Sequence, residues 1–181
     1  MQRKEFLITT LAITPLLAFP QLNKKGTRTK KPFLVSAGKS RFNEIIKLGL
    51  NANDVKVSKN DTDNQLSIFE YTGYEKVGPP LHLHFNQDEI FYIVDGAYRF
   101  VVGEEKMELK AGDTIFLPRN IPHTWVQLSE KGTLVYLVQP AGTMEEFFRK
   151  LNGLTKPPTE DEIQKIHMAH GMKVMGAPLS I

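Results

Sequence analysis

Apolar and polar positions alternate with a period of two through most of the chain beyond residue 50. In residues 65–71, Ser67, Phe69 and Tyr71 fall on one face of an extended strand and Leu66, Ile68 and Glu70 on the other. Similar short runs predict strands at 33–35, 54–58, 82–84, 89–94, 98–102, 106–109, 114–117, 123–127 and 134–138, the last taken as the final barrel strand. Turn chemistry separates them: 59–64 is rich in Asn and Asp, Asp95-Gly96 predicts a hairpin, and Gly103, Gly112 and the Pro118–Pro122 stretch mark further reversals. Residues 42–48 fit helix and strand equally well. Many short strands broken by such turns predict an all-β barrel or sandwich.

After residue 140 the period changes. Thr143 and Glu146 predict a capping box, with Met144, Phe147, Phe148 and Leu151 on one helical face and Gly153 as the stop. A second helix is expected over 159–170, with Thr159 and Glu162 as its box and Gly171 beyond its end. Both helices are read as caps on the barrel.

At 181 residues and 41% apolar content, the chain suits one domain plus an N-terminal extension, and it is too short for two barrels. It holds no cysteine, which excludes disulfides, thiolate ligands and a cysteine nucleophile. Of 23 basic residues, seven lie in residues 1–31 against the single acid Glu5; residues 32–181 hold 16 basic and 19 acidic side chains. A mildly acidic domain speaks against a nucleic-acid partner. Residues 2–5 are polar or charged and 6–19 uncharged, a stretch too short to span a bilayer comfortably. That is the shape of a secretory signal, and Arg3-Lys4-Glu5-Phe6-Leu7 resembles a relaxed twin-arginine signal, which predicts an exported, periplasmic protein with no membrane span in its mature form. The alternative is an N-terminal segment packed on the barrel or on a partner subunit. Residues 22–31 read as a basic tether, so the expected division is 1–31 and 32–181.

Candidate chemistry centres on four residues. His82 and His84, two apart in a strand, project the same way; Glu89 follows a short polar connection, and His123 opens a strand beyond a proline-bounded turn. A lone His-x-His is weak evidence, but three of the chain's five histidines fall at this spacing beside a carboxylate. Imidazoles and a carboxylate suit one divalent transition metal ion, whether Fe, Mn, Co, Ni, Cu or Zn, and leave coordination positions open for a ligand. Strand parity sets Trp125 and Gln127 beside His123, and Phe91 and Ile93 beside Glu89; with Phe69 and Tyr71 they predict an aromatic pocket for an apolar or planar small molecule, against the alternative of ordinary barrel packing. His167 and His170, three apart near a helix end, are read as solvated or dipole-compensating rather than as a second metal pair.

These positions resemble the two motifs of the cupin superfamily. His82, His84, Glu89 and Gly96 match the first motif and Gly112, Pro118, His123 and Gln127 the second, with Asn120 where glycine is usual and Gln127 where asparagine is frequent. The segments PPLHLH, EIFYIVDG and GDTIFLPRNIPHTW are similar to single-domain cupins of the quercetin 2,3-dioxygenase-like group. The resemblance implies a jelly-roll barrel (double-stranded β-helix), a metal held by His82, His84, Glu89 and His123, and O2-dependent cleavage of an enolic or aromatic substrate, with Glu89 doubling as the base. It leaves two other readings open: a metal-dependent isomerase or decarboxylase of a small acid or sugar, and a non-catalytic small-molecule binder. Cupins are often homodimers, and Glu89, following a loop, is expected to be the most mobile ligand.

Overall fold

A strand with one apolar face needs a second layer to bury it. β3 (Ser67–Gly73) buries every second residue from Ser67 to Gly73, and β2 (Asn51–Val57) and β10 (Gly132–Gln139) follow the same rhythm. In the computed structural model, which describes residues 28–181, these belong to a six-stranded sheet of order β1-β2-β3-β10-β5-β8, with β1 at Lys47–Leu48, β5 at Asp88–Asp95 and β8 at Thr114–Leu117. Facing it is a five-stranded sheet of order β11-β4-β9-β6-β7, built from β4 (Pro80–His84), β6 (Ala97–Val102), β7 (Glu105–Lys110), β9 (His123–Gln127) and β11 (Met172–Pro178). Every described pairing is antiparallel. Two helices, α1 (Met144–Asn152) and α2 (Glu160–Ala169), precede β11. The expected all-β jelly-roll with two short C-terminal helices is thus the fold the chain adopts.

Between the sheets lies an aromatic core: Tyr136 stacks between Phe69 and Phe91, with ring centroids 5.0 and 5.1 Å away. α1 closes one side, held by Glu145. This carboxylate is 1% exposed and accepts hydrogen bonds from Ser58 Oγ at 3.0 Å, Lys59 N at 2.6 Å and Ser67 Oγ at 2.8 Å, with Arg149 Nη2 at 3.4 Å.

Several local expectations are corrected. Residues 33–35 form no strand: Leu34 is 88% exposed, and Phe33 packs under the Arg41 guanidinium. Only Lys47–Leu48 becomes regular within 42–48. Asp95-Gly96 is not a hairpin, because β5 and β6 belong to different sheets; the turn carries the chain across the barrel at a glycine with φ 86°. The Gly103 turn does form a hairpin, between β6 and β7. β10 is not the last strand, since β11 returns after the helices to pair with β4. Thr143 makes no side-chain cap, and Glu146 pairs with Lys59 instead, whereas the Thr159/Glu162 box forms in both directions. The export-signal reading falls on residues outside those described. Of the tether, residues 28–31 are described, and Thr29 hydrogen-bonds to Asp61 through both backbone and hydroxyl. No helix among the described residues is long and apolar enough to cross a membrane.

A candidate metal centre at an apolar cavity

The four donors come from both layers. His82 and His84 lie on β4 and His123 on its neighbour β9, where His82 and His123 are register partners with rings 4.6 Å apart. Glu89 reaches across from β5 in the facing sheet. One ligand atom from each lies within 4.8 Å of the others, and all four side chains are buried. His123 Nε2 is 3.2 Å from Glu89 Oε2, and His84 Nε2 is 3.8 Å from Glu89 Oε1. Glu89 is not at a mobile loop end: Val138 of β10 and Leu117 of β8 pair with it from either side.

Outer contacts fix the orientation of each imidazole. His82 Nδ1 meets Pro80 O at 2.9 Å and His123 Nδ1 meets Ile121 O at 2.9 Å, each the carbonyl two residues back in the chain. His84 Nδ1 meets Gln87 Oε1 at 3.3 Å, and Gln87 Nε2 donates to Ala141 O. Carbonyl oxygens only accept, so each Nδ1 carries the proton and each Nε2 presents a lone pair inward. The turn that carries His123 is fastened to both ligand strands. Asn120, at φ 63°, donates its backbone N–H to His84 O, and Arg119 clamps Asp88 through backbone, Nε and Nη2. Left-handed backbone explains why asparagine replaces the usual glycine at 120.

Three lone pairs and a carboxylate facing one another are an electrostatically incomplete arrangement. His84 Nε2 lies 3.3 Å from His82 Nε2 with no proton available between them, and the buried His123 Nε2 has no hydrogen-bond partner. Burial, reinforced by His123 and His84, lowers the His82 pKa to about 3, and burial lowers that of His84 as well, so both are neutral at pH 7. For Glu89 burial favours the neutral acid, but the imidazoles of His84, His123 and His82 outweigh it and bring the pKa to about 2. Inward-facing lone pairs and a carboxylate repel one another at these separations, and a cation between the four donors removes that repulsion. The residues therefore fit a divalent metal ion.

Beside the donors opens a cavity of 280 Å³. Of the six residues expected to line it, Tyr71, Phe91 and Trp125 do. Phe69, Ile93 and Gln127 do not: Phe69 is packed between Tyr136 and Phe148, Ile93 is fully buried in the core, and Gln127 is spent on Gly73 O and Ser129 O. Parity placed them on the inner face correctly, but the cavity occupies only one end of the barrel. Part of the remaining wall was not legible as strand pattern, since it comes from α1 and α2 through Phe147, Phe148, Ile163 and His167. His167 is 3% exposed, not solvated, and burial lowers its pKa; His170 turns away to Thr143 Oγ1. Asn53 also lines the cavity, accepting from Tyr136 Oη at 2.8 Å while its own Nδ2 has no partner.

Residues 72–139, which include all four donors, match the family model described as "Cupin domain". An uncharacterized protein of Methanocaldococcus jannaschii is 44% identical over 43 residues, 24% of this chain and 34% of that protein, so the chain spans about a third of the relative's length. Among solved structures, KdgF from Halomonas sp. is 22% identical with a TM-score of 0.45, over 50% of this chain and 78% of its own. An RmlC-like cupin from Shewanella frigidimarina is 20% identical with a TM-score of 0.47, over 54% and 84%. A predicted oxalate decarboxylase from Thermotoga maritima is 20% identical with a TM-score of 0.46, over 49% and 79%. Likeness of that degree carries no reaction over to this chain. Residues 72–139, which carry both motifs and all four donors, are thus similar to a cupin domain, and the two-sheet fold around them is that of an all-β jelly-roll.

Proposed function

We propose that this cupin is a divalent-metal enzyme of the quercetin 2,3-dioxygenase-like kind, cleaving an enolic or aromatic small molecule with O2. The observation that carries the reading is the convergence of His82, His84, Glu89 and His123 at an aromatic-lined cavity, within 4.8 Å of one another. A transition metal held there would supply Lewis acidity and redox chemistry toward dioxygen. The protein supplies the rest. Tyr71, Phe91 and Trp125 offer flat apolar surfaces to a planar substrate and keep water out. Pro80, Ile121 and Gln87 hold the imidazoles in the tautomer that presents Nε2. Glu89 contributes the one negative charge among the four donors and would offset part of the charge of the ion held there.

Elemental analysis of protein purified without added metal, followed by oxygen-electrode assays with flavonols and 1,2-diketones, tests the reading. Bound transition metal with oxygen uptake matching substrate loss is the expected result. Turnover without oxygen uptake would assign an isomerase or decarboxylase of a small acid or sugar, and a ligand-induced thermal shift without turnover would assign a binding protein. Absence of metal affinity would overturn the reading altogether.

A further inference from the structure

The cavity contains polar chemistry beyond the four metal donors, and it comes from a helix that sequence reasoning treats as a cap. His167, on α2, lines the same space as His82 and Glu89. Its ring stands 5.9 Å from that of His82 and packs edge-on against Phe147 at 4.9 Å. Nδ1 points back along the helix to Ile163 O at 2.7 Å, and since a carbonyl only accepts, that nitrogen holds the ring proton. Nε2, on the other side of the ring, is directed away from the helix backbone toward the cavity. No hydrogen bond to it forms among the described residues, and it is not one of the fully buried unpartnered atoms, so it is open to the cavity that His167 lines. The capping box at Thr159 and Glu162 and the Gln164 side chain, which accepts from Val174 N of β11, fix the helix that aims it.

We infer that His167 is a ligand-binding residue: its Nε2 accepts a hydrogen bond from a hydroxyl of the bound molecule, selecting aromatic ligands that carry this hydroxyl next to the oxygen drawn toward His82, His84, Glu89 and His123. This rests on the metal-centre reading above. Adjacency follows from the two rings meeting edge to face with centroids 5.9 Å apart on the wall of one cavity, so that two recognition points serve neighbouring oxygens. The sense of the bond follows from the tautomer. An acceptor accommodates a hydroxyl and rejects an ether oxygen at the same place, because two lone pairs would then face each other in a dry cavity.

The test uses the full metal-containing protein and two chromogenic probes, 4-nitrocatechol and 2-methoxy-4-nitrophenol, which differ by methylation of one hydroxyl. Binding is read from the visible absorption of each probe, and metal content is measured on every sample. Wild type is expected to prefer the catechol. His167→Leu should bind it roughly tenfold more weakly, the size of one neutral hydrogen bond, with the methyl ether little affected and metal content unchanged. His167→Gln, whose amide oxygen also accepts, should recover part of the loss and guards against a variant that merely misfolds. Equal effects on both probes, no effect on either, no recovery with glutamine, or loss of metal from His167→Leu would each overturn the inference. So would metal-replete wild type that takes up neither probe, with the metal centre left standing; wild type without metal defeats the earlier reading and this one with it.

Discussion

Glu145 offers a quantitative test of how the cavity is held shut. Its carboxylate is 1% exposed and accepts from Ser58 Oγ, Lys59 N and Ser67 Oγ at 2.6–3.0 Å, tying α1 to the six-stranded sheet. Hydrogen bonds to a charged group contribute about 1.5–3 kcal/mol each, but three sharing one acceptor do not add in full. Glu145→Ala also strands Ser58 and Ser67, both fully buried, and leaves Arg149 with Glu44 alone. The loss should therefore be about 3–5 kcal/mol, the range for breaking a buried charged network. With a urea m-value of about 2 kcal/mol/M, the unfolding midpoint falls by about 2 M. Met144, Phe147, Phe148 and Leu151 of the same helix line the cavity, so ligand binding should weaken together with stability. Native-state hydrogen exchange should show the Lys59 amide, protected by Glu145 in the wild type, exchanging with the fastest amides. Glu108→Gln, which breaks an exposed pair with Arg99, is the control and should cost under about 1 kcal/mol. A Glu145→Ala protein that loses less than about 1 kcal/mol while Lys59 stays protected would refute the reasoning.

His82→Ala, His84→Ala and His123→Ala should each bring metal content close to zero by elemental analysis. Because Glu89 is held between two strands, Glu89→Gln should lower affinity by at least the roughly 10–100-fold that loss of an outer contact costs; full metal retention would mark the carboxylate as dispensable for binding. In metal-free protein His82 has a folded pKa of about 3, below its unfolded value of 6.5, so the unfolded chain takes up the extra proton. Stability should be constant with respect to this group above about pH 6.5 and fall between there and about pH 3, a slope that His82→Gln should flatten in urea titrations at stepped pH. Thr159→Ala removes the α2 cap and should cost about 1 kcal/mol, with faster exchange in residues 160–163. If residues 1–19 are an export signal, periplasmic protein begins after that stretch, whereas mature native protein retaining Met1 contradicts it.

Strand parity alone put His82 and His84 on one face, because the period of two is a local property of extended backbone; Glu89 and His123 joined them through their spacing and the motif resemblance. Asn120 was readable for a similar reason: its left-handed tolerance belongs to the residue itself. What lay beyond reach depends on how elements dock. Asp95-Gly96 has hairpin chemistry, yet the strands it joins bury their faces in opposite sheets. Sequence reading gave the role at the start of α1 to Glu146 and none to Glu145, and only the position of Glu145 over Ser58 and Ser67 shows which acid ties the helix down. His167 occupies a helix face whose surroundings are set by residues some eighty positions earlier. Gln87, read as part of a loop, is buried and orients His84.

β4, which bears His82 and His84, pairs with β9 on one side and β11 on the other, and β11 ends at Pro178. During synthesis the ribosome therefore releases the two histidines long before their outer neighbour exists, with nearly ninety residues still to be made. Such long-range closure is slow compared with the growth of local contacts. A metal ion reaching the nascent chain would meet His82 and His84 on an unpaired edge, free to bind it with unintended partners. Capture at the intended centre should belong to the period after residue 178 has emerged, when the strand is flanked on both sides. Ribosome-stalled chains ending at residue 170 should therefore retain no metal that survives washing with a weak chelator, while full-length released chains should.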